Sequence, residues 1–347
     1  MEVRYDCKHF RGSVPCRPNK ERRKLCTCDE FEQRGKRILI IKLDAMGDVL
    51  RTTPIIRKLR HEFPGCEITW ITKFPELAAA DIIVPFTSSG ILSVTADRYD
   101  IAYNFDKGAE ACALLTTVQA HTKKGFVLRD GRCHPIDKDA EQKFLTGIFD
   151  QVSEANMKSY VEETFDIAGL PFGGEKYIIK SPEPFHLDLP RPIVGLNTGC
   201  GTLWRSRLWP ASHWKELAFL LQKAGYSVLL LGGEQEHALN TSLAKETSAH
   251  YPGHIPLGQF PSLVNECDLV ISSVTLGFHI ALALGKKVIV LNSIFNKNEF
   301  ELYGLGRVVE PPVKGKYFTQ DPREGRMDEL LPTTVFEHAH FLLRGSG

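Results

Sequence analysis

An aspartate closes a short turn that follows the first long apolar run of the chain. Residues 38–41 read ILII, the turn DAMGD occupies 44–48, and apolar residues then recur at helical spacing. Ligands of doubly wound sheets bind beyond the carboxyl ends of the strands, and the positive end of a helix dipole keeps a nearby carboxylate ionised. Asp48 is therefore a candidate catalytic carboxylate, although a simple helix-capping role also fits its position.

A second candidate site is the loop TGCGT at 198–202, which follows the apolar run 193–197 and precedes two arginines. Glycines let a backbone approach a ligand closely, and the arginine fork matches phosphate oxygens. Thr198, Arg205 and Arg207 are therefore candidate phosphate-binding residues. An ordinary connecting loop with solvated arginines is the alternative interpretation.

A third candidate is the segment SSVTLGFH at 272–279, which follows an apolar strand and opens a helix. The unpaired N–H groups of a helix N-terminus form a natural anion site. Thr275 and Gly277 belong to that terminus, and His279 in the first turn could reach the same anion. Histidines on helices are more often simply packed, so both roles stay open for His279.

Four of the nine cysteines fall within the first 28 residues, with the spacing C-x8-C-x9-C-x-C. Their segment is polar and lacks any periodicity that would let it bury a core. Four thiolates there favour a closed, tetrahedral structural metal site, with zinc as the first choice and iron as the second. The spacing is not that of a standard zinc finger, and free thiols in a disordered arm are the alternative. The four cysteines are Cys7, Cys16, Cys26 and Cys28.

The elements that must position these residues alternate between strand and helix in two halves. A stretch at 169–192 that is rich in proline and glycine separates the halves. Strands that alternate with helices form parallel sheets, so the sequence predicts an α/β fold with two Rossmann-like, doubly wound domains. Strands are predicted at 38–43, 67–72, 99–105, 124–128, 193–197, 227–231, 269–272 and 287–291, and helices at 110–119, 140–149, 160–168, 211–224, 236–249, 276–284 and 333–343. The helix after Asp48 either kinks at Pro54 or ends there, so that a second helix begins with Thr53 as its cap.

Composition excludes several classes of protein. A length of 347 residues suits two domains, and 43% hydrophobic with 24% charged residues excludes global disorder. The net charge of +1 gives no overall attraction to nucleic acid. No apolar run reaches the roughly 18 residues of a membrane span, and we see no secretory signal. We therefore expect a cytoplasmic protein whose cysteines are reduced or bind metal.

Three segments together resemble glycosyltransferase family 9, the heptosyltransferase-like enzymes. They are ILIIKLDAMGDVLRTTPIIRKLRHEFPGCEITWIT at 38–72, VGLNTGCGTLWRSRLWPASHWKELAFLLQKAGYSVLLLGGEQE at 194–236 and LVISSVTLGFHIALALGKKVIVL at 269–291. The M-G-D element and the pair R-x-W-P with L-G-G-x-x-E are fairly specific in combination. The resemblance covers both halves, roughly residues 37–310, but not the N-terminal cysteine segment.

The resemblance implies a GT-B fold, in which the first domain holds the acceptor and the second holds a nucleotide sugar across a cleft. The family's proposed general base corresponds to Asp48, its basic residue before W-P to Arg207, and its glutamate after the next strand to Glu234. Its element for the donor phosphates and nucleoside corresponds to residues 274–279. Val274 stands there in place of the usual aspartate, which puts the identity of the donor in question more than the fold.

The resemblance leads to one expected activity, the inverting transfer of a heptose from ADP-heptose to an acceptor hydroxyl, as in the making of lipopolysaccharide. Asp48 takes the proton of the hydroxyl, and Arg207 and His279 help to stabilise the leaving diphosphate. No catalytic metal is expected. The alternatives are a GT-B enzyme with another donor or a protein or metabolite acceptor, and an inactive GT-B protein that acts as a binding module.

Four segments follow from these assignments. Residues 1–35 form the cysteine-rich metal finger, 36–175 the acceptor domain, 176–315 the nucleotide-sugar domain, and 316–347 a tail whose helix returns to the first domain, as the resemblance implies. Arg51 and Lys58 are candidate contacts for an acceptor, which would be a glycan, a lipid-linked group or a protein. Solvated helix charges are the simpler interpretation of both residues. The oligomeric state is not predicted.

Overall fold

The first half of the chain builds a six-stranded sheet around the apolar run at 38–41. The structure, a computed structural model, describes residues 2–201 and 204–344. The strands of this half are β1 (Arg37–Ile41), β2 (Glu67–Thr72), β3 (Ile82–Pro85), β4 (Arg98–Asn104), β5 (Gln119–Arg129) and β6 (Arg132–Pro135). Their order is β3-β2-β1-β4-β5-β6, with β1 to β5 parallel and β6 antiparallel to β5. Because β1 lies centrally and helices cover the sheet, its four apolar side chains are all buried.

Within residues 2–201, eight α-helices belong to this half. They are α1 (Arg17–Arg22), α2 (Met46–Thr52), α3 (Pro54–Glu62), α4 (Ser88–Ala96), α5 (Ala109–Thr117), α6 (Lys138–Leu145), α7 (Asp150–Glu154) and α8 (Tyr160–Ala168). Of the two alternatives at Pro54, the structure shows the new helix: α2 ends at Thr52 and Pro54 is the first residue of α3. The Thr53 side chain does not cap α3. Its Oγ1 donates to the Leu50 carbonyl at 2.6 Å and accepts the Ile178 N–H at 2.8 Å. The second bond holds the linker against the junction of α2 and α3.

The second half builds a five-stranded, fully parallel sheet in the order β11-β10-β9-β7-β8. Its strands are β7 (Ile193–Asn197), β8 (Ser227–Leu231), β9 (Leu269–Ser273), β10 (Lys287–Leu291) and β11 (Gly306–Val309), and its helices are α9 (Ala211–Lys223), α10 (His237–Thr247), α11 (Phe260–Asn265), α12 (Leu276–Ala283) and α13 (Pro332–Arg344). The structure thus confirms an α/β fold with two doubly wound parallel-sheet domains.

The final helix α13 does not return to the first domain as the resemblance implied. It packs on α9, β10 and β11 of the second sheet. The Tyr226 hydroxyl and His340 Nδ1 lie 2.9 Å apart, and Lys287 Nζ donates to the Leu342 carbonyl at 2.7 Å. The physical reason is that Val335 and Ala339 of α13 are buried in the same apolar cluster as the side chains of α9.

One apolar core runs through both domains. It joins Val49 and Leu50 of α2 to Phe278 and Ile280 of α12 and continues to the inner residues of both sheets. Helix α12 of the second domain packs directly against α2 of the first. The carboxyl ends of β1 and β9, from which these two helices start, therefore face each other.

Candidate active site

The meeting of α2 and α12 brings Asp48 and His279 together. Asp48 is the third residue of α2, which begins directly after the turn that follows β1. His279 lies in α12, which begins two residues after β9. A Cβ atom on Gly47 would stand 2.9 Å from His279 Cδ2, so only glycine permits this close approach of the domains. The two residues therefore lie near one another, and their roles in one site stay a prediction.

Cations surround the carboxylate of Asp48. Arg51 Nε donates to Asp48 Oδ1 at 2.9 Å, and Lys42 Nζ lies 3.8 Å from Asp48 Oδ2. Burial alone would raise the pKa of the Asp48 carboxyl, but the charges of Arg51 and Lys42, with smaller contributions from His279 and Lys143, bring that pKa below its ordinary value. Asp48 is therefore ionised at neutral pH and able to accept a proton.

A buried ion pair lies beneath Asp48. The side chain of Lys42 is only 2% exposed, and its Nζ donates to the Asp106 carboxylate and to the Asp44 carbonyl. Burial alone would lower the pKa of Lys42, but the charge of Asp106, helped by Tyr160 and Asp48, raises it above the usual range. Lys42 therefore stays charged and forms a buried ion pair directly below Asp48.

His279 is buried and neutral. Burial, the largest cause, together with the charges of Arg51 and Arg207 holds the pKa of His279 well below its ordinary value, despite the opposing effect of Asp48. Its Nδ1 lies 3.5 Å from the Tyr177 hydroxyl. His279 can be packed in the core and still contact a ligand, because a neutral imidazole forms hydrogen bonds through its second nitrogen.

Asn197, which the sequence analysis did not select, organises the start of α12. Its Nδ2 donates to Ser272 Oγ and Thr275 Oγ1, both at 2.9 Å, and a Cβ on Gly277 would lie 2.8 Å from the same nitrogen. Thr275 is the N-cap of α12, and its side chain accepts the Gly277 N–H at 3.2 Å. The structure thus has a helix that begins at Leu276, with the Gly277 N–H already paired within the protein, and anion binding there stays a prediction.

Arg207 lies between the loops that follow β7 and β9. Its Nη2 donates to the Cys200 carbonyl at 2.9 Å and its Nη1 to the Val274 carbonyl. Its Nε is buried and has no hydrogen-bond partner within 2–201 and 204–344. Burial lowers the pKa of Arg207 to about 10, so the guanidinium remains charged at neutral pH. Arg207 thus joins the loops that follow β7 and β9, the two loops that the sequence analysis selected for the donor.

The remaining predicted donor residues lie around this loop in different environments. Thr198 is buried and donates to Asn240 Oδ1 at 2.6 Å, whereas Arg205 is exposed. Thr202 of the TGCGT loop lies outside the described residues.

Two glutamates lie near the position where the resemblance places Glu234 as a donor contact. Glu234 is exposed at the start of the turn after β8. Glu236, two residues later, lies directly against Gly199, and its Oε2 accepts the Gly233 N–H at 2.9 Å. Glu236 is the final residue of the L-G-G-x-x-E element, so the motif itself carried the signal for this second carboxylate.

The two predicted acceptor contacts are both engaged in ion pairs. Arg51 is 8% exposed and is bonded to Asp48 and to Glu299 of the second domain. Lys58 Nζ lies 2.9 Å from Glu62 Oε1, one turn further along α3. Lys58 thus forms an ion pair within its own helix, whereas Arg51 forms one across the two domains.

The four N-terminal cysteines do not form a ligand group in this arrangement. Cys16 is the N-cap of α1, and Cys7 forms an isolated bridge with Gln33. Within the part of the chain that the structure describes, no three His, Cys, Asp or Glu side chains are placed so that they could hold a metal ion. The four-cysteine metal site therefore stays a prediction from the sequence.

Comparison with known proteins decides the family. The sequence model of glycosyltransferase family 9 (heptosyltransferase) matches residues 91–305, more than half of the chain. The chain belongs to glycosyltransferase family 9. This family 9 glycosyltransferase is 22% identical over 294 residues to the lipopolysaccharide core heptosyltransferase OpsX of Haemophilus influenzae, a match that covers 77% of this chain and 81% of that protein.

Solved structures confirm the GT-B fold of this family 9 chain. It is similar to the family 9 glycosyltransferase of Veillonella parvula, with a TM-score of 0.68, 18% identity and coverage of 90% of this chain and 98% of the other. It is also similar to the E. coli heptosyltransferase WaaC with ADP, with a TM-score of 0.63, 18% identity and coverage of 88% and 99%. Among the helices within 2–201 and 204–344, none has both the length and the apolar character needed to cross a membrane.

Proposed function

We propose that this family 9 glycosyltransferase moves a heptose from ADP-heptose to an acceptor hydroxyl, with Asp48 as the general base and inversion at the anomeric carbon. The observation that carries the proposal is the meeting of the ionised Asp48 with the start of α12 and His279 across the two domains. The names of the relatives support the sugar, since OpsX is a lipopolysaccharide core heptosyltransferase and the WaaC structure contains ADP.

The proposed reaction is one displacement. The acceptor oxygen attacks the anomeric carbon from the face opposite the diphosphate while its proton passes to a carboxylate oxygen of Asp48. The bond from the anomeric carbon to the phosphate oxygen breaks, and ADP leaves with the electron pair. An ionised carboxylate suffices as the base, because the hydroxyl proton becomes acidic only as the new bond forms.

The second domain stabilises the negative charge that collects on the diphosphate. The N–H groups at the start of α12 and the charged guanidinium of Arg207 would stabilise developing charge without reorganisation. His279, neutral and buried between Asp48 and Arg207, can add a hydrogen bond without repelling a cation. We expect no metal in this step, and Thr198, Arg205 and Glu234 remain proposed donor contacts.

The donor base is the less determined part of the proposal. Val274 gives no carboxylate to the nucleoside, and its carbonyl is already engaged by Arg207. The nucleoside would therefore be held more by packing than by charge. A transferase with another donor is the second candidate, and an inactive binding module is the third.

Donor turnover tests the proposal. Purified protein is incubated with ADP-heptose, UDP-glucose or GDP-mannose, and release of the nucleoside diphosphate is measured with and without a lipid-linked glycan acceptor. We expect ADP release from ADP-heptose, accelerated by the acceptor. Turnover of a different nucleotide sugar would correct the donor, and no turnover with any of them would favour the binding module.

A further inference from the structure

A chain of charges crosses from the second domain to the proposed base. Arg51 Nη2 donates to Glu299 Oε1 at 3.1 Å, and Arg51 Nε donates to Asp48 Oδ1 at 2.9 Å. Glu299 follows β10 in the second domain, whereas Arg51 and Asp48 lie one turn apart on α2 in the first. A single guanidinium therefore bonds the base on one side and the opposite domain on the other.

The first domain leaves Arg51 few other positions. The side chain is 10% exposed, and its Cζ lies 3.6 Å from the centre of the Tyr160 ring. A planar guanidinium stacked on a ring keeps only rotation within its plane. The two bonds to Asp48 and Glu299 fix that rotation, so loss of either carboxylate frees it.

Glu299 is itself held against the first domain. Asn296, three residues earlier, donates through Nδ2 to the Ser153 carbonyl at 2.8 Å and to the Asn156 carbonyl at 2.6 Å. These carbonyls lie at the C-terminal end of α7. In this arrangement of the two domains, hydrogen bonds to the first domain thus hold the segment that carries Glu299 within reach of Arg51.

We propose that Glu299 is a positioning residue for the transfer reaction and acts on Asp48 through Arg51. The closed second domain orients the carboxylate that accepts the proton, so the base is aligned only when the donor domain is in place. This inference rests on the proposed role of Asp48 as the general base. Glu299 itself touches neither substrate nor the reacting atoms.

Steady-state kinetics of Glu299→Gln test the proposal with the nucleotide sugar that the wild type turns over. We expect kcat to fall about tenfold, within the range of measured couplings between contacting residues, while the KM for the donor changes less than about twofold. Glu299→Asp should recover part of kcat because it restores the charge. Glu246→Gln is the matched control, since Glu246 pairs with Lys215 on the outside of the second domain.

A double-mutant cycle separates this role from a merely structural one. If Glu299 acts only through Arg51, adding Glu299→Gln to Arg51→Gln should cause no further loss of kcat. Two results would overturn the positioning role of Glu299 while Asp48 keeps its role. One is wild-type kcat in both Glu299 variants. The other is a double variant in which the fold-decrease in kcat equals the product of the two single fold-decreases. If the wild type turns over no nucleotide sugar, both the positioning role of Glu299 and the proposed function are overturned.

Discussion

Asp48 is the residue at which the smallest chemical change should have the largest effect. Asp48→Asn keeps the shape but cannot take up the proton, so we expect kcat to fall roughly 10²–10⁴-fold, the usual contribution of a general base. Nucleotide affinity should stay near the wild-type value, because the change lies in the other domain. The measurement is donor turnover together with calorimetric titration of ADP.

Asp44→Asn is the matched control for that change. Asp44 belongs to the same turn but is exposed, and its Oδ2 pairs with Lys73 Nζ at 3.0 Å. Turnover close to that of the wild type in both variants would remove Asp48 from the role of base.

Arg207 and His279 should contribute directly to nucleotide binding. Arg207→Ala and His279→Ala should each weaken ADP binding by about 1.5–3 kcal/mol, the range for a lost hydrogen bond to a charged group. Titration with ADP, UDP and GDP measures this, and ADP should be favoured only modestly because Val274 offers the base no carboxylate. Arg191→Ala, at the far end of β7, is the control. Unchanged affinity in both site variants would place the nucleotide elsewhere.

The buried, neutral His279 should also make the fold sensitive to acid. Its pKa lies well below 6.5 in the folded state, chiefly because of burial, whereas in the unfolded chain it titrates near 6.5. Below that pH only the unfolded state gains the proton, so stability falls by up to about 1.4 kcal/mol per pH unit until the folded pKa is reached. Urea unfolding of His279→Asn between pH 7 and 5.5 should show a shallower loss than the wild type. Equal slopes in His279→Asn and the wild type would contradict the prediction.

At the scale of elements, the sequence predicts best where apolar runs are bounded by glycine or proline. The bounds of β2, α8, β7, β8 and β10 agree residue for residue with those expected. In contrast β3 and α4 (Ser88–Ala96) were not expected, because β3 is a largely exposed edge strand with no buried apolar pattern and α4 has only a short buried face. Buried strands carry a signal in the sequence, and edge strands do not.

The candidate site divides in the same way. Asp48, Arg207 and His279 follow predicted strands, so their place at the edge of a sheet could be inferred from their spacing. Glu299 meets Arg51 across 248 positions of sequence, and no local pattern indicates such a contact. Contacts between domains depend on how the domains close, which is a property of the whole chain.

The N-terminal segment carries the prediction that the structure leaves untested. Four thiolates are expected to bind about one metal ion per chain, zinc before iron, because neither metal needs other ligands in a tetrahedral sulfur site. Elemental analysis of protein purified without added metal measures the ratio. The double substitution Cys26→Ser and Cys28→Ser should abolish metal binding, whereas Cys66→Ser should leave the ratio unchanged. A ratio well below one, with all four thiols freely alkylated in the folded protein, would defeat the proposal.

At the scale of the whole molecule, the two domains are held together by more than the linker. Asn296 Nδ2 donates to the Ser153 carbonyl at 2.8 Å, and the Tyr317 hydroxyl donates to Ser153 Oγ at 2.6 Å. These polar contacts add to the apolar contact of α2 with α12. Both are made by segments that follow strands of the second sheet, Asn296 after β10 and Tyr317 after β11.

The apolar core shared by both domains has a consequence for how the protein melts. Where domains meet through a small polar interface, heating unfolds them one after the other, and calorimetry records two transitions. Here the side chains of α2 and α12 belong to one continuous cluster, so melting either domain exposes apolar surface of the other. We therefore expect one endotherm, with a calorimetric enthalpy equal to the van't Hoff enthalpy. Two separate peaks would mean that the domains unfold independently. Placing a lysine at Ile280, in the middle of the shared cluster, should split the single transition by uncoupling the two halves.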